Sequence, residues 1–295
     1  MTMLAFVSSY TPLFDLVLIY SLIALSQYVS FRGGVLSLAP AGFTLIGAYT
    51  GAIMIKSTGL GAMAGICASI AMGACAGLLL ALPLARLRGV FPAIATIGFV
   101  QIVVSLALYA EPLTGGAVGL TAIPKVATTP CLVAALAAVV GLLSVINRSN
   151  VGSAFDAIRQ DVTVAESLGI RVAHYYRVNF ALSGAIGAVA GCLLAYNTYA
   201  ITPEEFGFGM LVFAATAVIL GGRSSIAGAI IGTAILLVLP ELARPLHDQR
   251  LLMQGALLIV IITYLPQGIV DTARELLRQR RSVRHPVVPA RKVAA

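Results

Sequence analysis

Charge is what this sequence has least of. Asp, Glu, Lys and Arg make up 10% of its 295 residues and hydrophobic residues 59%, whereas a soluble domain is roughly one quarter charged. That scarcity excludes an ordinary water-soluble globule and places the chain in a bilayer. Tryptophan is absent, and the three histidines, His174, His247 and His285, all stand outside the apolar runs. An intramembrane Ser/His protease is thereby disfavoured, and without an HExxH motif so is an intramembrane zinc enzyme. There is no GxxxxGK[ST] either, so the chain has no P-loop with which to bind ATP. The four cysteines, Cys67, Cys75, Cys131 and Cys192, lie in or beside apolar runs without CxxC spacing; they are expected to be small packing residues rather than disulfides or metal ligands. The centres of the runs carry no ionisable residue, the usual marker of proton or ion coupling inside a membrane.

What is abundant is apolar sequence. A helix needs about 20 residues to cross, and about nine runs reach or approach that length: Leu13 to Val29, Val35 to Ile55, Leu60 to Leu82, Val90 to Ala110, Cys131 to Ile146, Val178 to Tyr199, Phe208 to Leu220, Ile226 to Leu239 and Leu251 to Leu265. The expected fold is an all-α integral membrane protein, a polytopic bundle of about nine (eight to ten) transmembrane helices. No positive stretch precedes the first run, so no cleavable signal peptide is expected. The expected organisation is a transmembrane domain over 1–270, interrupted by a polar segment at 148–177, and a basic, disordered tail over 271–295.

The net charge of +8 is distributed unevenly. With the tail placed inside and the runs alternating, the inner loops hold fifteen basic residues and the outer ones four: Lys56, Lys125, Arg244 and Arg250. That asymmetry is what the positive-inside rule requires. It puts the C-terminus in the cytoplasm and, with nine spans, the N-terminus outside; a further or re-entrant first segment, giving ten spans, would put the N-terminus inside. It explains the positive charge without a nucleic-acid partner.

Glycines recur four apart at Gly47/Gly51, Gly61/Gly65, Gly73/Gly77, Gly187/Gly191 and Gly228/Gly232. In lipid that spacing lets helix backbones approach, although glycine is common enough there that about half the pairs are expected at true crossings. The polar residues inside the runs are mild: Ser37, Thr44, Thr96, Gln101, Asn179, Tyr196 and Asn197. Ser37, Thr44, Thr96, Gln101 and Asn197 are the candidate lining of a translocation path, since hydroxyls and amides receive a polar solute without burying a charge.

The polar segment contains SNVGSAFDAIRQDVTVAESLGIRVAHYYR, Ser149 to Arg177. Val151, Ala154, Phe155, Ile158, Val162, Ala165 and Leu168 fall at helical spacing on one stripe, and Gly169 follows at a C-cap position. The stripe needs a cover, which the bilayer, the bundle or another protein could supply. Asp156, Asp161 and Glu166 disfavour an anionic membrane surface, and a groove in a partner fits better.

This segment, as GSAFDAIRQDVTVAESLGI (Gly152 to Ile170), resembles the cytoplasmic coupling segment of LivM-type permease subunits of branched-chain amino acid ABC transporters. The resemblance extends to GGVLSLAPAGFTLIGAY (Gly33 to Tyr49), LRGVFPAIATIGF (Leu87 to Phe99), LTGGAVGLTAIP (Leu113 to Pro124), ITPEEFGF (Ile201 to Phe208) and VILGGRSSIAGAIIG (Val218 to Gly232), in the family's order. It implies a multi-pass permease of the bacterial inner membrane, itself not an enzyme. This subunit would bind no cofactor, and ATP would be used by a partner. The implied partners are cytoplasmic ATP-binding subunits, a second homologous permease subunit, a periplasmic solute-binding protein and the lipid bilayer. Phe155, Ala157, Ile158, Arg159, Asp161, Glu166 and Gly169 would couple the bundle to the ATPase. The chain departs from the family at Ala39 and Pro40 (commonly Gly-His), Ala117 and Val118 (often Pro-Asn) and Ala227 (usually Trp), departures that bear on the solute more than on the class. From the residues alone, an ion-coupled secondary transporter and a structural membrane subunit remain alternatives. A shared pattern, Gly33-Gly34-x-x-Ser37-x-Ala39 and Gly221-Gly222-x-x-Ser225-x-Ala227, is suggestive of a duplicated half.

Overall fold

Lipid offers no partner to a free N–H or C=O, so an apolar run that enters a bilayer as a single segment becomes a helix. The computed structural model describes residues 2–57, 61–87, 89–242 and 268–272. Its helices are α1 (Thr2–Arg32), α2 (Pro40–Ser57), α3 (Ala62–Leu84), α4 (Phe91–Tyr109), the short α5 (Glu111–Thr114), α6 (Thr129–Arg148), α7 (Asn150–Gln160), α8 (Val162–Ser167), α9 (Val172–Asn197), α10 (Phe208–Gly221) and α11 (Ile226–Leu242). No strand forms among the described residues, only an isolated antiparallel bridge between Leu120 and Ile201.

Eight of the nine apolar runs coincide with helices. Six stretches among the described residues are long and apolar enough to cross: Thr11–Arg32, Ala62–Leu84, Phe91–Tyr109, Thr129–Arg148, Val172–Asn197 and Pro203–Gly221. Six by that measure do not confirm the expected count of about nine, and two further helices among the described residues fall short of it for physical reasons. In α2, glycines, Thr44, Thr50 and Lys56 dilute the apolar residues, which a helix walled mainly by other helices tolerates. In α11 the apolar part is only Ile226–Val238. The run Leu251 to Leu265 lies outside the described residues, as does the tail after Thr272. Asp271 and Thr272, assigned to that tail, are helical.

Neighbour contacts set the helix directions. Gly65 meets Tyr196, Gly73 meets Gly184 and Gly77 meets Phe180, so α3 and α9 are antiparallel; Gly187 near Pro40 and Gly51 against Cys192 make α2 and α9 parallel. One end of the bundle gathers the end of α1, α7, α8 and the turn at 222–225, with Arg32, Arg159, Arg171 and Arg223. The opposite end carries Lys56, whose Nζ donates to the Thr121 carbonyl at 2.8 Å, and exposed Glu111, Glu204 and Glu205. Two motifs distant in sequence, Leu113 to Pro124 and Ile201 to Phe208, meet there through paired 3.0 Å bonds between Leu120 and Ile201. The turns at 33–39 and 222–225 both lie at the arginine-rich end. Gly34 has φ +77° and Gly222 φ +117°. Ser37 Oγ accepts from Ala39 N at 3.3 Å, and Ser225 Oγ accepts from Gly228 N at 3.0 Å. The repeated sequence pattern is thus a repeated helix–turn–helix junction.

Nine of the ten glycines in the four-apart pairs, all but Gly61, have a neighbour where a β-carbon would go. At Gly47 that neighbour is the Ala188 backbone, at Gly191 the Thr44 carbonyl, at Gly77 the Phe180 carbonyl and at Gly232 the Ala217 carbonyl. Of the cysteines only Cys192 packs inside, against Gly51; Cys67, Cys75 and Cys131 are free thiols on the outer surface of the bundle. The expectation of a small packing residue within the bundle describes Cys192; the helices of the other three turn those faces outward.

Gly191→Ala is expected to force α2 from α9 and destabilise the protein by roughly 1–3 kcal/mol, whereas Gly141→Ala, at a position with nothing within 4 Å, is expected to be harmless. Thermal unfolding in detergent checks this, and equal melting of both variants with the parent would refute the close-packing account.

Candidate functional site

The polar segment folds as an elbow rather than one continuous helix. Ser149 Oγ caps α7 by accepting from Val151 N at 3.2 Å. At Asp161 the helix breaks, because an Asp side chain caps a new helix better than it serves the interior of an old one. Asp161 Oδ1 accepts from Thr163 N at 2.7 Å and Val164 N at 3.1 Å, starting α8. These bonds to the ionised form hold the exposed Asp161 carboxyl below its ordinary range. Gly169, at φ +82°, ends α8 as the capping pattern predicts, with Gly169 N donating to Glu166 O and Ile170 N to Ala165 O.

The apolar stripe is covered by the protein's own bundle from Val151 to Ala165, while its last member, Leu168, is exposed. Phe155 is 2% exposed and meets Tyr175 edge-on at 6.1 Å between ring centroids. Ile158 is 1% exposed and joins a cluster with Val35, Leu80, Leu84, Val172 and Tyr176. The Gly34 turn presses on the backbone at Ile158 and Arg159. The partner-docking expectation for Phe155 and Ile158 is corrected accordingly: they seat the elbow. Ala157 is half-buried, and Arg159, Asp161, Glu166 and Gly169 are exposed.

The outward surface of the elbow is a groove lined by Ser153, Asp156, Ala157, Gln160, Asp161, Val164, Ala165 and Leu168. Val164 is 55% and Leu168 72% exposed. An apolar floor with two carboxylates beside it can receive an apolar knob flanked by a basic group. A single helical stripe omits Val164 and puts Leu168 on the covered face; the break at Asp161 rotates α8 and turns both outward.

The candidate path residues do not converge. Thr96 Oγ1 accepts from Leu38 N at 2.9 Å, Thr44 Oγ1 donates to Pro40 O at 2.8 Å, and Gln27 Nε2 donates to Ser37 O at 2.5 Å. Ser37, Thr44 and Thr96 are fully buried; Ser37 and Thr96 brace the α1–α2 turn, and Thr44 bonds within the first turn of α2. Gln101 points outward from α4, and Asn197 ends α9 at the opposite end with its buried Oδ1 unpartnered.

Polar groups not singled out from the sequence prove central. Ser26 Oγ lies 3.1 Å from Ser183 Oγ and donates to Ser183 O at 2.7 Å, while Ser30 Oγ lies 3.1 Å from Ser183 Oγ, joining α1 to α9. The four-residue spacing of Ser26 and Ser30 was the available signal. Asn179, which the sequence does single out among the polar residues of the runs, is fully buried beside Gly33 and has neither side-chain polar atom partnered. Asp15, near the edge of the first run, is buried and accepts from Thr129 Oγ1 at 2.8 Å.

Comparison with known proteins agrees with this architecture. The family described as branched-chain amino acid transport system / permease component matches residues 11–262. The permease protein LivM of Escherichia coli K12 is 32% identical over 89% of this chain and 70% of its own, and that of Salmonella typhimurium LT2 is 33% identical over 83% and 66%. The chain thus spans about two thirds of the length of these relatives. LivH of Escherichia coli K12 is 33% identical over 45% of this chain and 44% of its own. No solved structure matches. A match over most of the chain, on a bundle of membrane-crossing helices bearing a capped polar elbow, establishes that this protein belongs to the branched-chain amino acid transport system permease family.

Proposed function

We propose that this chain is the membrane-spanning permease subunit of an ATP-driven importer carrying branched-chain or related small amino acids. The observation that carries the reading is the elbow: a rigidly seated helix pair on the arginine-rich end, with an open groove facing away from the bundle. Positive charge at that end supports a cytoplasmic location for it and for the C-terminus. A cytoplasmic ATP-binding subunit would dock in the groove and supply the ATP chemistry for which this sequence has no P-loop. Ala157, Asp161 and Glu166 would contact it, with Val164 and Leu168 as its apolar anchors. Gly169 would end the elbow, and Phe155 and Ile158 would transmit its movement from beneath. Arg159, which borders a second opening with Gly34, Arg223, Ser224 and Asp271, would lie at the margin of the contact. A second homologous permease subunit would complete the bundle within the lipid bilayer of the bacterial inner membrane. The end bearing Glu111, Glu204 and Glu205 would receive solute from a periplasmic binding protein. The expected path lining moves from the buried Ser37, Thr44 and Thr96 to surfaces shared with that second subunit, where Gln101 already points outward.

Purification of the chain from its native membrane in mild detergent is expected to bring an ATP-binding subunit and a second permease in stoichiometric amount, as identified by mass spectrometry. A chain that purifies alone and intact would overturn the reading. Leu168→Asp is expected to leave insertion and melting unchanged but to cut co-purification of the ATP-binding subunit by about tenfold. Ile158→Asp is expected instead to unseat the elbow, because an unpaired carboxylate would be buried, and to lower the melting temperature.

The Asp161 cap supplies a pH readout. Its folded carboxyl titrates below the unfolded value, so the cap's stabilisation is present above the ordinary Asp range and is lost as pH falls through the folded value. Amide protection over 163–167, corrected for intrinsic exchange, is expected to fall with acidification in the parent; Asp161→Asn is expected to flatten that dependence.

A further inference from the structure

We propose that the ion pair between Arg32 and Asp156 is the joint through which movement of the elbow reaches the transmembrane bundle, which makes both of them positioning residues for transport. The inference rests on the importer reading and names residues that the coupling segment's apolar pattern does not include. Arg32 is the last residue of α1, and its Nη2 lies 2.9 Å from Asp156 Oδ2 on α7. Its Nη1 donates to Tyr28 Oη at 3.1 Å, and Asn147 Nδ2 donates to the same oxygen at 3.2 Å. One small network therefore ties α1, α6 and α7 together.

Two features distinguish it from a surface ion pair. The Arg32 side chain is 14% exposed and its buried Nε has no partner, whereas the Asp156 side chain is 43% exposed. A guanidinium so withdrawn from water depends on its carboxylate far more than an exposed one does. Asp156 also lines the outward groove. The same carboxylate thus faces a docking partner on one side and a membrane helix on the other.

The apolar seat of Phe155 and Ile158 is non-directional, whereas a charge-assisted bond with a defined geometry fixes the register of α7 against α1. A partner pressing into the groove would displace α7, and the ion pair would pass that displacement to the end of α1. From α1 it passes to α9 through Ser26, Ser30 and Ser183.

The test uses the transporter as purified with its own partners, reconstituted in proteoliposomes, with Arg32→Gln, Asp156→Asn and the exchange Arg32→Asp with Asp156→Arg. Arg32→Gln, outside the groove, is expected to retain the ATP-binding subunit and hydrolyse ATP while moving about tenfold less solute per ATP, and Asp156→Asn, whose carboxylate also lines the groove, to lose at least as much solute per ATP. The exchange is expected to recover most of that loss, which a merely structural role for either residue would not give. In the isolated chain, amide exchange over 150–160 is expected to quicken in each single variant and slow again in the exchange. Wild-type solute per ATP in the single variants, or no recovery in the exchange, overturns the joint. Absence of an ATP-binding subunit from the parent preparation instead overturns the importer reading, and the transport role of the pair with it.

Discussion

Backbone touches backbone at the centre of this protein, and the rest of its structure depends on that contact. In lipid the hydrophobic effect does not drive helices together, because a leucine is as content among acyl chains as among leucines. Association must come from dispersion and hydrogen bonds, both of which fall off steeply with distance. Gly47, Gly51, Gly73, Gly77, Gly184 and Gly191 remove the side chains that would hold α2, α3 and α9 apart. Proximity then allows bonds a larger spacing would forbid: Ser69 Oγ donates to Gly47 O at 3.0 Å and Tyr196 Oη to Gly51 O at 3.2 Å. These two carbonyls already belong to α2, so the added donors bind the helices without leaving a backbone group unpaired.

Close contact also settles which helices must be apolar. α2 is surrounded mainly by protein and carries hydroxyls and Lys56, whereas α4 and α6 turn Ile94, Ile102, Leu106, Leu142 and Val145 outward. Polarity is thereby concentrated on the inner helices, at the α1–α9 seam of serines and at the turn braced by Gln27 and Thr96. These groups are largely consumed in holding the bundle together. Asn179, with both polar atoms unpartnered next to the Gly33 turn, is where that seam retains unused hydrogen-bonding capacity.

The helices were largely legible in the sequence because apolar runs and helix geometry follow the same constraint, and the glycine pairs were more informative than their composition suggested. What hydropathy could not convey was the environment of each run. Lys56 and the hydroxyls of α2 lower its apolarity without removing it from the bundle, so a count of runs does not say which helices face lipid. The surroundings of the candidate path residues were hidden for a related reason: Thr96 and Ser37 are polar residues in apolar runs, but which backbone group each one satisfies depends on a turn formed by distant residues. Asp156 was visible as a charge on α7, while its partner Arg32 lies 124 positions away, beyond any local pattern.

The elbow shows how a correct motif can be read from the wrong side. Its stripe is amphipathic by spacing, and spacing reports only that one face must be covered. Covering by the protein's own bundle yields a different mechanical element from covering by a partner. A stripe waiting for a partner would leave α7 free to pivot until bound. A stripe already buried, with Asp156 anchored to Arg32 and Phe155 wedged against Tyr175, makes α7 part of the rigid bundle. A push in the groove then meets a stiff element, and displacement has to appear in the membrane helices rather than dissipate in the segment itself.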